Sequence, residues 1–244
     1  MTLQDAVNIR CSRRKYLSNP IESLCVAKLK ALITEYQDHG GLDIRLVLEN
    51  GVAFNGFRKS YGMFSGVRNY IGLIGDKSDL VNTEKLGYYG ELLVLHATIL
   101  GLGTCWVGGS FHRESCPFDL HKSESIICAI AVGHVPHNLG MRENFIRKIT
   151  HRKTKSIEQM YKSTNIVPEW FISGIKSVQM APSAVNRQPV TFSYTGGNAV
   201  TASVKDITGD CYALDLGIAK LHFELGADGG TWGFGNGAEF NKGI

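Results

Sequence analysis

The chain has 244 residues, 43% of them hydrophobic and 20% charged, with a formal net charge of +4. This is an ordinary globular composition, long enough for one large domain or two small ones around a sizeable core. The mild charge gives no argument for a nucleic-acid partner, and no apolar run reaches the about 18 residues that a membrane span needs.

The N-terminus, MTLQDAVNIRCSRRKY, has no apolar stretch of the kind a secretory signal carries, so a cytoplasmic location is the expectation. Cys11, Cys25, Cys105, Cys116, Cys128 and Cys211 form no C-x-x-C pair and stand at no zinc spacing with histidines. They read as free thiols.

In chain order, Asn19-Pro20 opens an amphipathic helix with apolar residues at Ile21, Leu24, Cys25, Leu29, Leu32 and Ile33, closed by His39-Gly40-Gly41. DIRLVLEN (43–50) alternates like a strand. The Gly- and aromatic-rich residues 51–66 read as a loop, and NYIGLIGD (69–76) as a second strand. A long helix follows from about Leu86, stopped by Gly101 and Gly103. GTCWVGG (103–109) reads as a tight turn and SESIICAIAVGHV (123–135) as a buried strand. EWFISGIKSVQMA (169–181) is then helical, VTFSYTG (190–196) and AVTASVKDI (199–207) are strands, and CYALDLGIAKLHFELGA (211–227) is a further long helix.

The second half repeats the order of the first. AKLKAL (27–32) lies over SGIKSV (173–178), and at the same shift RLVL (45–48) lies over TFSY (191–194). Beyond the Gly-rich loop the shift shortens, so that ATILG (97–101) lies over HFELG (222–226) and Trp106 falls close to Trp232. This predicts an internally duplicated α+β unit.

Four stretches carry candidate chemistry. Arg10, Ser12 and Arg14 alternate, so an extended backbone puts two cations and a hydroxyl on one face, a combination suited to a phosphate. The basic run IRKITHRKTK (146–155) is either a solvated face or an anion site. APSAVNRQP (181–189) collects amide and hydroxyl groups just after a helix; alone it reads as a helix end and turn. His134 and His137 form H-x-x-H without an evident third ligand, so no metal is expected. Gly101-x-Gly103 follows a helix rather than a strand and has Trp106 where a dinucleotide fingerprint needs its last glycine.

Three stretches together resemble the FMN-dependent nitroreductase family. RCSRRKY (10–16) is similar to its N-terminal R-x-S-x-R/K signature. GYYGELLVLHATILGLGTCWVGG (87–109) resembles its central helix and the turn after it. APSAVNRQP is similar to its A-P-S-x-x-N-x-Q-P. The resemblance implies a mixed α/β sandwich, in a family that usually forms homodimers with FMN at the subunit interface. It implies phosphate contacts from Arg10, Cys11, Ser12 and Arg14, and from one or two of Arg152, Lys153 and Lys155. Trp106, Val107, Gly108 and Gly109 are expected beside the isoalloxazine, with Pro182, Ser183, Ala184, Asn186 and Gln188 reaching it from the side a partner subunit would occupy. Arg58, Tyr61 and Phe64 of the Gly-rich loop are expected at the substrate pocket.

Each half carries what the other lacks. APSAVNRQP lies over EYQDHGGLD (35–43), and KSIEQMY (155–161) stands where the first half has RCSRRKY. The expectation is therefore two repeats mimicking the family dimer: residues 1–165 supply the phosphate end and central helix, and residues 166–244 supply the APSAVNRQP loop. One FMN per chain is implied, with a monomer sufficient and a homodimer still open. The implied activity is NADH- or NADPH-driven reduction of nitroaromatics, quinones or similar acceptors by ping-pong hydride transfer through flavin N5, without a catalytic side chain. Another flavin reduction on the same fold, or an FMN-storing protein with little turnover, stands as the alternative.

Overall fold

The computed structural model describes residues 1–55, 62–150, 153–206 and 211–243, of which 142, 147, 149 and 150 by their backbone alone. Contacts divide the chain into two compact units. Unit 1 comprises Met1, Ile9–Ser78 and Leu93–His151; unit 2 comprises Thr2–Asn8, Asp79–Leu92 and Arg152–Ile244.

In unit 1, helix α2 (Ser23–Gly40) ends on Gly41, whose left-handed backbone (φ 64°) lets its N–H reach Gln37 O. Strands β1 (Asp43–Val47), β2 (Asn69–Gly75), β3 (Gly103–Val107) and β4 (Ser125–Gly133) form an antiparallel sheet in the order β1-β2-β4-β3. The central strands β2 and β4 are buried at nearly every position, which is why both read as continuous apolar runs. One aromatic cluster sits on this sheet: Phe54 stacks on Phe111 at 5.6 Å and meets Phe64 edge-on at 5.7 Å and Tyr70 at 5.3 Å. The glycine-rich stretch thus sends Phe54 and Phe64 into the core. The unit also holds helix α4 (Met141–Thr150), which a basic, weakly apolar sequence concealed.

The long helix α3 (Leu80–Ile99) starts a turn and a half before the sequence suggested. Its residues to Leu92 belong to unit 2 and the rest to unit 1.

Unit 2 contains helix α5 (Glu169–Met180), helix α6 (Tyr212–Gly226) and most of the short helix α1 (Leu3–Ile9). Strands β5 (Tyr161–Ser163), β6 (Thr191–Gly196), β7 (Ala199–Ser203), β8 (Thr231–Trp232) and β9 (Glu239–Asn241) form a sheet in the order β5-β6-β7-β9-β8. Only β5 runs parallel to its neighbour. Apart from β5, the connection order of this sheet is that of unit 1: helix, two strands, helix, two strands. Phe223 on α6 is the hub of its core, stacked on Phe192 at 4.9 Å and edge-on to Phe171, Trp232 and Phe240.

Helix α6 is buried at every residue from Ala213 to Phe223. Three polar residues on it therefore need partners, because an unmatched buried charge is costly. Lys220 Nζ lies 2.5 Å from Glu84 Oε1 on α3 and donates to the carbonyls of Gly233 and Gly235. Burial pushes its pKa down, against the pull of Glu84. His222 lies within hydrogen-bond distance of Glu91 Oε1 (3.0 Å) and Ser177 O (3.1 Å). The third, Asp215, faces the loop after α5.

The two helices meet through glycines. A Cβ on Gly217 would lie 1.9 Å from Glu84 O and 2.7 Å from Tyr88 N, and one on Gly87 would lie 2.2 Å from Leu214 O. Backbone cannot yield as a side-chain tip can. Gly217→Ala is expected to destabilise the protein by about 2–3 kcal/mol in urea titration, whereas Gly109→Ala, with open space around it, leaves the midpoint unchanged.

Candidate functional site

After α1 the chain runs extended along β3. Ser12 bridges Thr104 in parallel and Arg13 N–H donates to Thr104 O at 2.8 Å. Further on, Ser65 N–H donates to Arg14 O and Tyr16 N–H to Ser65 O. Arg13 is buried, while Arg10, Cys11, Ser12 and Arg14 are half-buried and Lys15 is exposed. The thiol of Cys105 reports their common location. Burial pushes its pKa up, and Arg14, the Ser12 hydroxyl and Arg10 pull the other way.

A single carboxylate on α4 fixes this segment. Glu143 Oε1 accepts Arg14 N–H (2.7 Å), Lys15 N–H (3.2 Å) and Arg13 Nε–H (3.3 Å), and its Oε2 accepts Gly140 N–H (3.0 Å). Burial alone would raise the pKa of Glu143, but the N–H groups of Arg14 and Gly140, with Arg13 and Lys15, outweigh it and hold the carboxyl below its usual range. Arg13 is further tied to the carbonyl of Pro136 (2.8 Å). Arg14 is different: its Nε is a buried donor without a hydrogen-bond partner among the described residues. An anionic oxygen at that face is the kind of acceptor it lacks.

In unit 2 the loop after α5 bends sharply. Ser183 O accepts Asn186 N–H (3.0 Å) and Ala184 O accepts Arg187 N–H (3.1 Å). Val185, Asn186 and Gln188 all have left-handed backbones, with φ of 46°, 52° and 47°. For a β-branched valine this conformation is strained and persists only where surrounding contacts impose it. The contacts are visible. Asp215 accepts Ala184 N–H, and Ser183 Oγ accepts Gln188 N–H (2.9 Å). Gln188 Oε1 accepts Lys155 N–H (2.8 Å), its Nε2 donates to Gln179 O (3.1 Å), and Lys155 Nζ donates to Gln188 O (2.7 Å).

Two expected cofactor residues thus have structural tasks. Both ends of the Gln188 amide are engaged within the unit, and the Lys155 ammonium, a candidate for the phosphate, is bound to the Gln188 carbonyl instead. Pro182, Ser183, Ala184 and Asn186 remain half-buried along the bend. In unit 1, residues 103–107 are strand β3 and not a turn, since pairing with β4 overrides the glycines at either end. Val107 is buried there, Trp106 and Gly108 are half-buried, and Gly109 is open. Gly108 O accepts a hydrogen bond from Arg113. Cys11 is a half-buried free thiol and Lys153 is exposed. Phe64 is 8% exposed and packed on Phe54, so its ring serves the core and not a substrate pocket. Arg58, Tyr61 and Arg152 lie outside the described residues. His134 Nε2 lies 3.1 Å from Glu22 Oε2 at the start of α2.

Sequence reasoning missed Arg13, Glu143, Gln179 and Asp215. Asp215 had a signal, a charge inside the apolar run ALDLGIA. Glu143 had none, because its partners are about 130 residues away along the chain.

With this geometry in view, the comparisons with known proteins are direct. A sequence profile of the family described as "Putative TM nitroreductase" matches residues 2–227. The chain belongs to this nitroreductase family. A crystal structure of a "putative nitroreductase" from Thermotoga maritima shares its fold, with a TM-score of 0.66 at 22% identity over 98% of this chain and 92% of that one. An FMN-dependent nitroreductase from Clostridium difficile is more remote (TM-score 0.45, 18% identity, 55% of this chain and 88% of that one). So is a nitroreductase-like protein in complex with FMN from Desulfovibrio desulfuricans (TM-score 0.43, 18% identity, 59% and 95%). A comparison with curated proteins finds no match. No helix among the described residues is long and apolar enough to cross a membrane.

The Glu143 brace generates a prediction. Its depressed pKa means that it stabilises the fold above the unfolded value of about 4.3, and that this contribution is lost as pH falls through the lower folded value. Glu143→Gln presents an NH2 to backbone donors and is expected to cost about 1–3 kcal/mol near neutrality. Urea titrations at several pH values should also show the variant losing part of the wild-type acid sensitivity.

Proposed function

We propose that this nitroreductase-family protein is an FMN-dependent oxidoreductase that takes electrons from NADH or NADPH and passes them to nitroaromatics, quinones or similar small acceptors. The observation that carries the reading is the Arg10-Ser12-Arg14 stretch, with an Arg14 Nε that is buried and has no hydrogen-bond partner among the described residues. Guanidinium and hydroxyl groups braced on one side of an extended backbone suit a phosphate monoester.

Bound FMN supplies reversible two-electron transfer, so no acid, base or nucleophile of the chain is needed for bond cleavage. Residues of the chain have three tasks. Arg10, Ser12 and Arg14 hold the phosphate, oriented by Glu143. Trp106, Gly108 and Gly109 border the ring. Pro182, Ser183, Ala184 and Asn186 offer backbone and amide groups to its polar edge, while Gln188 and Lys155 keep that bend in shape. Both ring-side segments are irregular or strand-end backbone that allows close approach.

The two units share the order helix, two strands, helix, two strands, and this supports reading the chain as a duplicated unit. Residues 1–165 and 166–244 then stand for the two subunits of a dimer, each retaining one part of the cofactor site, and one FMN per chain suffices.

The test is spectroscopic. Protein loaded with FMN should show visible flavin absorbance at one FMN per chain. NADH or NADPH should bleach it without oxygen, and a nitroaromatic or quinone should restore it. Two flavins per chain would contradict the duplication reading, and loaded flavin that neither nicotinamide bleaches would favour storage over turnover. Arg10→Ala combined with Arg14→Ala removes two charge-assisted contacts. It is expected to weaken FMN binding by about 3 kcal/mol, roughly a hundredfold, while the urea midpoint hardly moves.

A further inference from the structure

Asp215 stands in the first turn of α6, buried at 4% exposure, with its carboxyl turned into the loop after α5. Its Oδ1 and Oδ2 lie 3.1 and 3.3 Å from Ala184 N. The surrounding small cavity is walled by uncharged residues, including Met160, Val178 of α5, Pro182, Ser183 and Ala219. Among the described residues, the charge that acts on this carboxyl is the Arg187 guanidinium of the loop itself. Lys155, the other cation at the loop, is committed to Gln188 O. Arg187 lies over the Tyr212 ring, 5.8 Å from its centroid. The guanidinium thus rests on an aromatic face, within electrostatic reach of the carboxyl.

We propose that Asp215 is a proton-controlled positioning residue for the 182–188 loop: neutral, it holds the bent backbone that receives the flavin, and ionised, it draws Arg187 from Tyr212 and pulls the loop out of that shape. The identity of the ligand rests on the FMN reading above; the switch itself does not.

A protonated carboxyl still accepts Ala184 N–H through its carbonyl oxygen. A carboxylate in the same place needs a counter-charge, and Arg187 is adjacent in sequence to Asn186 and Gln188, both left-handed. Movement of Arg187 thus disturbs a backbone held only by its contacts. Burial raises the Asp215 carboxyl to about 7, with Ala184 N–H and Arg187 opposing. The sign follows: the folded protein binds this proton more tightly than the unfolded chain, where Asp titrates near 3.9. That stabilisation is complete below about pH 4 and is lost as pH rises through about 7. By linkage, a ligand that needs the bent loop binds more weakly as the proton leaves.

The experiment measures two quantities across about one pH unit on either side of the Asp215 value of about 7. One is FMN affinity, from quenching of flavin fluorescence. The other is hydrogen–deuterium exchange of the loop peptide in FMN-free protein, corrected for intrinsic rates. In the wild type, affinity should fall roughly tenfold and loop exchange should rise with rising pH. Asp215→Asn should keep the tight, protected behaviour throughout; ionisation of the FMN phosphate is common to both proteins and cancels. Arg187→Gln, which keeps the carboxyl and removes the side chain it would draw, should flatten the pH dependence of loop exchange. Wild-type exchange that tracks Asp215→Asn overturns the switch, as does loop exchange in Arg187→Gln that rises with pH as in the wild type. The latter also decides the matter if Asp215→Asn does not fold. Loop opening with the expected midpoint but no FMN binding at any pH upholds the switch and overturns the FMN reading.

Discussion

A buried carboxyl group accepting backbone N–H groups is the interaction on which both proposed cofactor segments depend. Neither RCSRR nor APSAVNRQP belongs to an α-helix or to a full sheet ladder, so most of their N–H groups lack the partners that regular structure would provide. Glu143 fills that need in unit 1 and Asp215 in unit 2. Without such acceptors the same sequences would have no reason to prefer one irregular shape, and pre-shaped backbone is what lowers the ordering cost of binding.

The two carboxyls reach this role from opposite electrostatic settings. Glu143 gathers three backbone donors and a guanidinium, enough to keep its charge despite burial. Asp215 has one backbone donor and a more distant cation, so burial dominates. The proposed phosphate segment is accordingly held by a permanent anion, and the proposed ring-side loop by a group whose charge changes near neutrality. Glu143 fixes Arg13 and the Arg14 backbone, while the Arg14 Nε has no hydrogen-bond partner among the described residues.

Local patterns in the chain reveal much of this architecture. Long helices with one or more apolar faces announce themselves by period, and the alternation in Arg10-Ser12-Arg14 places Arg13 on the opposite face, where it is indeed buried. GTCWVGG misleads because glycines at both ends look like a turn, although three β-prone residues between them pair with β4. Helix α4 is obscured by its charge, with Met141 and Phe145 exposed and little apolar surface to advertise an inward face. The motif assigns Gln188 to the ligand, because no local rule reveals that Lys155 and Gln179 already occupy its amide. Long-range polar partners have no periodicity, so they are the part of a site that sequence hides best.

The buried ring of partners around α6 bears on how separable residues 166–244 are from the rest of the chain. Lys220 and His222 are matched by Glu84 and Glu91, which enter unit 2 from the long helix α3 and precede this segment in sequence. A fragment beginning at residue 166 would bury an ammonium and an imidazole without these carboxylates. Residues 166–244 are therefore not a movable module: truncation or recombination that leaves out residues 79–92 removes the electrostatic closure of the core.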